Sequence, residues 1–113
     1  MNRVLKFRAW DDLNSQYIYW GVSYIDLYFW HEVRTRGLIV EQYTGVKDKN
    51  GVDIYEGDIC ENPMFIGSFA VEFVPGLAGH VGYNSDRSGG YYFITDSGVK
   101  VVGNVHEDKE LLK

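Results

Sequence analysis

The dominant rhythm along this chain is an alternation of apolar and polar residues. Residues 4–10 set it: Leu5, Phe7 and Ala9 alternate with Lys6, Arg8 and Trp10, the period of two that a half-buried strand requires. Asp11-Asp12-Leu13-Asn14-Ser15 then predicts a turn, because Asp, Asn and Ser side chains bond the nearby backbone. Residues 17–20 return as the partner strand. A third strand is expected over 38–43, entered through Gly37 and left through Thr44-Gly45. Asn50-Gly51 comes next, a pair that adopts the positive φ values of a type I′ hairpin turn at little cost. Val52 and Ile54 resume the alternation. Gly57, inside Tyr55-Glu56-Gly57-Asp58-Ile59, predicts a tight turn or bulge before a strand at Ile59.

Further on, Phe69, Val71 and Phe73 alternate with Ala70, Glu72 and Val74 until Pro75-Gly76 stops the strand. Short strands are expected at 80–83, 91–95 and 99–105, with 84–90 (NSDRSGG) as a mobile loop tip. Asn104 with Glu107 three residues later has the spacing of a helix cap, so 106–112 should form one or two terminal turns docked by Leu111 and Leu112. Residues 21–36 fit neither period. There we expect an irregular segment holding a strand or one short turn of helix. Short strands separated by turn signals predict a mainly β fold, a small SH3-like barrel of antiparallel strands with a short C-terminal helix. One domain covering 1–113 is expected.

Composition narrows the function classes. With 113 residues and a formal charge of −5, the chain lacks the clustered Lys and Arg that grip a phosphate backbone, which argues against nucleic acid as a direct ligand. The 16% aromatic content argues against disorder. A single cysteine, Cys60, excludes an intramolecular disulfide and suits a cytoplasmic location. No apolar run reaches the roughly 20 residues of a membrane span, and the opening residues do not read as a signal peptide.

The segment from Tyr43 to Ile59, YTGVKDKNGVDIYEGDI, resembles the signature of the YopX family, small proteins carried by bacteriophages and prophages. The opening Lys6-Phe7-Arg8-Ala9-Trp10-Asp11 and the closing VGNVHEDKELL at 102–112 are similar to the family's two ends, in the same order. The resemblance implies a mainly β fold, a phage or prophage origin and a bacterial host cytoplasm. It implies no activity, because the family's function is itself unknown.

Three constellations carry candidate chemistry. Asp53, Glu56, Asp58 and Glu61 could in principle exchange protons or hold a hard cation; beside glycine, however, Asp58 reads first as a turn residue. Gly45, Asn50, Gly51, Gly57 and Asp58 form the expected turn motif. Asp48-Lys49-Asn50-Gly51 fails the register of a calcium loop. His31, His80, His106 and Cys60 lack metal-ligand spacing, and no cofactor is expected. Finally, Tyr17, Tyr19, Trp20, Tyr24, Tyr28 and Trp30 crowd into fourteen residues. Tyr and Trp are enriched at interaction hot spots, whereas a stacking platform for single strands also needs a basic groove, and 17–30 contains no Lys or Arg. The favoured reading is a non-enzymatic protein-binding or self-assembling module, its partner a second copy or a host or phage protein. The alternatives are a nucleic-acid-associated small barrel and a metal-dependent hydrolase built from Asp53, Glu56, Asp58 and a histidine.

Overall fold

In a computed structural model of the chain, described for residues 6–20, 26–62, 68–74, 79–83, 92–93 and 98–112, the alternating segments become antiparallel strands. The chain divides into two units, 1–43 and 44–113. In the first, β1 (Phe7–Asp11) pairs with β2 (Gln16–Trp20) on one side and with the start of β3 (Ile39–Lys47) on the other. The Asp11 carboxylate closes the β1–β2 turn as expected, accepting from the backbone N–H groups of Leu13 and Asn14 at 3.1 and 3.3 Å. Past Tyr43, β3 runs on through Gly45, whose φ of +89° bends the strand without ending it. Gly45 is therefore an irregularity inside a strand rather than its terminus, an allowance that a missing Cβ makes cheap. β3 then pairs with β4 (Asp53–Tyr55), giving the sheet order β2-β1-β3-β4.

The second unit holds a five-stranded antiparallel sheet in the order β8-β7-β6-β5-β9, curled into half a barrel. Its strands are β5 (Asp58–Glu61), β6 (Ser68–Val74), β7 (Gly79–Tyr83), β8 (Tyr92–Phe93) and β9 (Lys100–Asn104). The mainly β architecture is thus the one that the alternation predicts. Ile54, Cys60, Phe69, Val71 and Val99 form the core of this unit, with Val46 and Val101 packed against it. Cys60 is fully buried, acting as a small hydrophobe. The Phe69 ring lies directly over Gly82, so closely that a Cβ there would penetrate it.

Two expectations need correction. Residues 26–36 form α1 (Asp26–Arg36), a three-turn helix where one turn at most was expected. Phe29, Glu32, Val33 and Arg36 are buried or half-buried, whereas Tyr28, Trp30, His31, Arg34 and Thr35 are exposed. At 3.6 residues per turn the inward set spans an arc of about 100°, a clear helical stripe. It was hidden because an ion pair, Glu32 with Arg36 at 3.2 Å, occupies the inner face and two aromatic rings occupy the outer one. The stop signal was nevertheless present. Gly37 adopts φ +64° and the Leu38 N–H reaches the Val33 carbonyl at 3.2 Å, the six-to-one bond of a Schellman cap.

The second correction concerns Asn50-Gly51. Positive φ is confined to Gly51 (+83°), and the Gly51 N–H donates to the Asp48 carbonyl at 3.0 Å. The hairpin therefore uses a longer loop with glycine in the left-handed position, not the two-residue type I′ turn. At the C-terminal end, Asn104 caps as expected, its side-chain oxygen accepting from the N–H groups of His106 and Glu107 at 2.9 and 3.0 Å. This cap leads into a 3-10 helix, Lys109–Leu112, against β6. Leu112 is half-buried, but Leu111 is exposed and does not dock. The loop tip at 84–90 lies outside the described residues, as do the hairpin residues Asp96 and Ser97.

Candidate functional site

Asp48 sits at the start of the β3–β4 hairpin, and the residue is 6% exposed. One carboxylate oxygen accepts from the backbone N–H groups of Asn50 and Val52 at 2.8 and 2.9 Å. The other accepts from the Val101 N–H at 3.0 Å, fifty-three residues further along. Beside it, the Lys49 N–H donates to the Val99 carbonyl at 2.9 Å. A single side chain thereby closes its own loop and fastens it to β9. These are N–H donors converging on an anion, the reverse of what a cation site requires.

Gly57 and Asp58 make the matching joint. Gly57 has φ +86°; its N–H donates to the Val71 carbonyl and its carbonyl accepts from the Val105 N–H, both at 2.9 Å. Asp58 is buried and accepts from the Tyr55 N–H at 2.8 Å, as its place beside a glycine suggested. In the sheet it stands opposite Asn104. The central signature and the closing motif, distant in sequence, thus meet through Gly57 with Val105 and Asp58 with Asn104, and Asp48 adds a bond to Val101, the residue just before that motif.

The remaining candidates for acid–base or metal chemistry are dispersed. Asp53 pairs with Lys47 at 2.6 Å, Glu56 is half-buried and Glu61 exposed. The turn at Gly57 breaks the extended geometry that would have ranked these carboxylates along one strand. Among the described residues, no group of three or more His, Cys, Asp or Glu side chains is placed to hold a metal ion. His31 lies exposed on α1 and Cys60 lies in the core of the second unit. Nor is any described helix long and apolar enough to cross a membrane.

The crowded aromatics do not form one patch. Register places Phe7 and Trp20 on one face of the first unit's sheet and Trp10, Tyr17 and Tyr19 on the other. Trp20, Trp30 and Phe7 form an edge-to-face trio between the helix and the sheet, with centroids 5.4–6.2 Å apart. On the opposite face, Trp10 meets Tyr17 at 5.0 Å. The Arg8 guanidinium lies 3.8 Å from the Tyr17 ring centre and Lys6 lies over Tyr43 at 5.1 Å. A cation therefore does reach one ring of the crowded run, Tyr17, but from β1. Arg8 is buried and ion-paired with Glu41 at 2.8 Å, so its charge is compensated. Tyr28 is 56% exposed on the outer face of α1, and Trp30 retains 41% exposure at its rim. Tyr24 lies outside the described residues.

Sequence reasoning treated Asp11 as a turn residue only. Its carboxylate also takes a short, direct hydrogen bond from Arg36 at the end of α1, while the Asn14 amide donates to its second oxygen at 2.8 Å. The Arg36 and Asn14 donors hold the Asp11 carboxyl well below the usual carboxylate range against the opposing effect of burial. For Asp48, burial raises the carboxyl, but the N–H groups of Val101, Val52 and Asn50, with the Lys100 charge, outweigh it and hold it low. Both groups bind protons more weakly folded than unfolded. Their stabilisation is complete above the unfolded pKa of about 3.9 and is lost as pH falls towards and through the folded values. The urea midpoint should therefore stay level from about pH 7 to 5 and decline below about pH 4. Its decline should be shallower in Asp48→Asn, which has no carboxyl to protonate. A midpoint level down to about pH 3 in the native sequence would contradict this assignment.

Comparisons agree with the geometry. The crystal structure of protein EF1440 from Enterococcus faecalis is similar over 99% of this chain and 100% of that one, with 26% identity and a TM-score of 0.55. No curated protein matches. The family model described as YopX protein matches residues 6–113, spanning all three motifs, and the chain belongs to the YopX family.

Proposed function

We propose that this protein is a non-enzymatic binding module of phage or prophage origin that acts in the cytoplasm of a bacterial host. It engages another protein, a second copy or a host or phage protein, through the outer face of α1. The observation that carries this reading is the exposure of Tyr28 and Trp30 on one short helix, aromatic anchors of the kind that dominate protein interfaces. Two of the carboxylates on which a hydrolase would be built favour a structural role: Asp58 is tied to the backbone of its own turn and Asp53 is paired with Lys47. Tyr17 and Trp20, both half-buried, serve this module mainly from within the first unit, packing the sheet that carries the helix, whereas Tyr19 is 44% exposed on that sheet.

Photo-cross-linking in cells tests the proposal. With p-benzoylphenylalanine in place of Tyr28, irradiation should give a discrete adduct to itself or to one protein partner. The same group in place of the exposed Lys109 should give none. Equal backgrounds from both positions, together with a strict monomer in sedimentation, would overturn the reading.

A further inference from the structure

The outer face of α1 has a chemical bias that its aromatic rings alone do not express. Among the described side chains, from Tyr28 to Arg36, the exposed ones are Tyr28, Trp30, His31, Arg34 and Thr35. None of them is acidic, although the chain as a whole carries −5. The one described carboxylate of the helix, Glu32, is turned inward and bound to Arg36. Among the described arginines, Arg8 holds Glu41 and Arg36 holds Asp11 and Glu32, whereas Arg34 stands exposed with no carboxylate partner. Spacing gathers these groups. Arg34 follows Trp30 by four residues and His31 by three, and His31 follows Tyr28 by three, so each is a neighbour on the helix surface.

We infer that this face receives an acidic, partly apolar segment of a partner protein, with Tyr28 and the Trp30 rim packing its apolar side chains and Arg34 pairing with its carboxylate. The inference rests on the binding role proposed above and names its partner's chemistry. Tyr, Trp and Arg together are the residue types enriched at hot spots, and Arg offers a planar fork that fits a carboxylate with two parallel hydrogen bonds. Charge complementarity selects a carboxylate-bearing ligand. A nucleic acid is also anionic, but its grip scales with the number of phosphates neutralised, and this face supplies one guanidinium on an acidic protein.

Panning a random dodecapeptide library against the immobilised full-length chain tests this. Enriched peptides should carry Asp or Glu beside an aliphatic or aromatic residue. Their affinity, read by fluorescence anisotropy, should fall about tenfold or more in Arg34→Glu and in Tyr28→Ala, while Arg34→Lys keeps part of it. Both positions are exposed, so circular dichroism and the urea midpoint should match the parent. Neutral or basic peptides that still depend on Tyr28 would overturn the acidic partner but leave the binding face standing. No enrichment, or peptides indifferent to both substitutions, would overturn both readings. A dimer dispersed by Arg34→Glu would replace the partner segment with a second copy. Oligo-dT binding abolished by the same change would replace it with nucleic acid.

Discussion

Asp48→Ala is expected to lower the unfolding free energy by about 3 kcal/mol or more, since leaving buried donors unsatisfied costs roughly 1–3 kcal/mol each. Three backbone N–H groups, those of Asn50, Val52 and Val101, point at this one carboxylate. Water can reach part of the hairpin loop, which limits the sum, but Val101 lies in β9 within the fold. Asp48→Asn separates the two ends of the cradle. Its amide oxygen can still accept from the loop, whereas its NH2 group faces another N–H at Val101, so a loss of about 2 kcal/mol is expected. Urea unfolding at neutral pH measures both. If neither variant differs from the parent by more than about 0.5 kcal/mol, a surface-like value, the bond from Asp48 to β9 carries no weight in the fold.

A second large effect is expected at the buried pair of Arg8 and Glu41. They face each other across β1 and β3 and each side chain is only 6% exposed. Glu41→Ala leaves a guanidinium in a site with little access to water, and removal of one partner from a buried pair typically costs about 3–5 kcal/mol. Replacing both, as Arg8→Met with Glu41→Leu, removes the charge and its desolvation cost together. The double variant should recover most of the loss. Arg8 also packs on the Tyr17 ring, so near-ultraviolet dichroism should change in Arg8→Met even where stability returns. Losses in Glu41→Ala and the double variant of the same size would show that packing, rather than an uncompensated charge, sets the cost.

These two sites also show what the family motifs do in the fold. The residues that make the chain identifiable, from Asp48 through Asp58 to Asn104, hold strands and turns together. Their chemistry is that of capping and hydrogen bonding, and the binding face proposed above uses residues outside these motifs, Tyr28 and Arg34.

Local chemistry made much of the fold legible. Alternation at Phe7 and Ala9, and again at Phe69 and Val71, marks strands because a pleat sends successive side chains to opposite faces. The turn and cap bonds of Asp11, Asp58 and Asn104 reach only two or three residues along the chain, so those turns and caps were readable from neighbours alone. Helix α1 was missed because Glu32 and Arg36 sit inside while Tyr28 and Trp30 sit outside, which cancels the apolar stripe that periodicity detects.

The amino-acid sequence by itself determined the mainly β class, the position of most strands and the family. Each of these depends on contacts between residues close in the chain or on the motif's own spelling. Only the tertiary structure decided that Asp48 reaches Val101, that Arg8 meets Glu41 and that Arg36 reaches Asp11. Each of those pairs is 25 or more residues apart, and their partnership depends on strand order and register, which no local pattern records. The same register split one run of aromatic residues between two faces of a sheet and left Tyr28 and Trp30 exposed on the helix beside it.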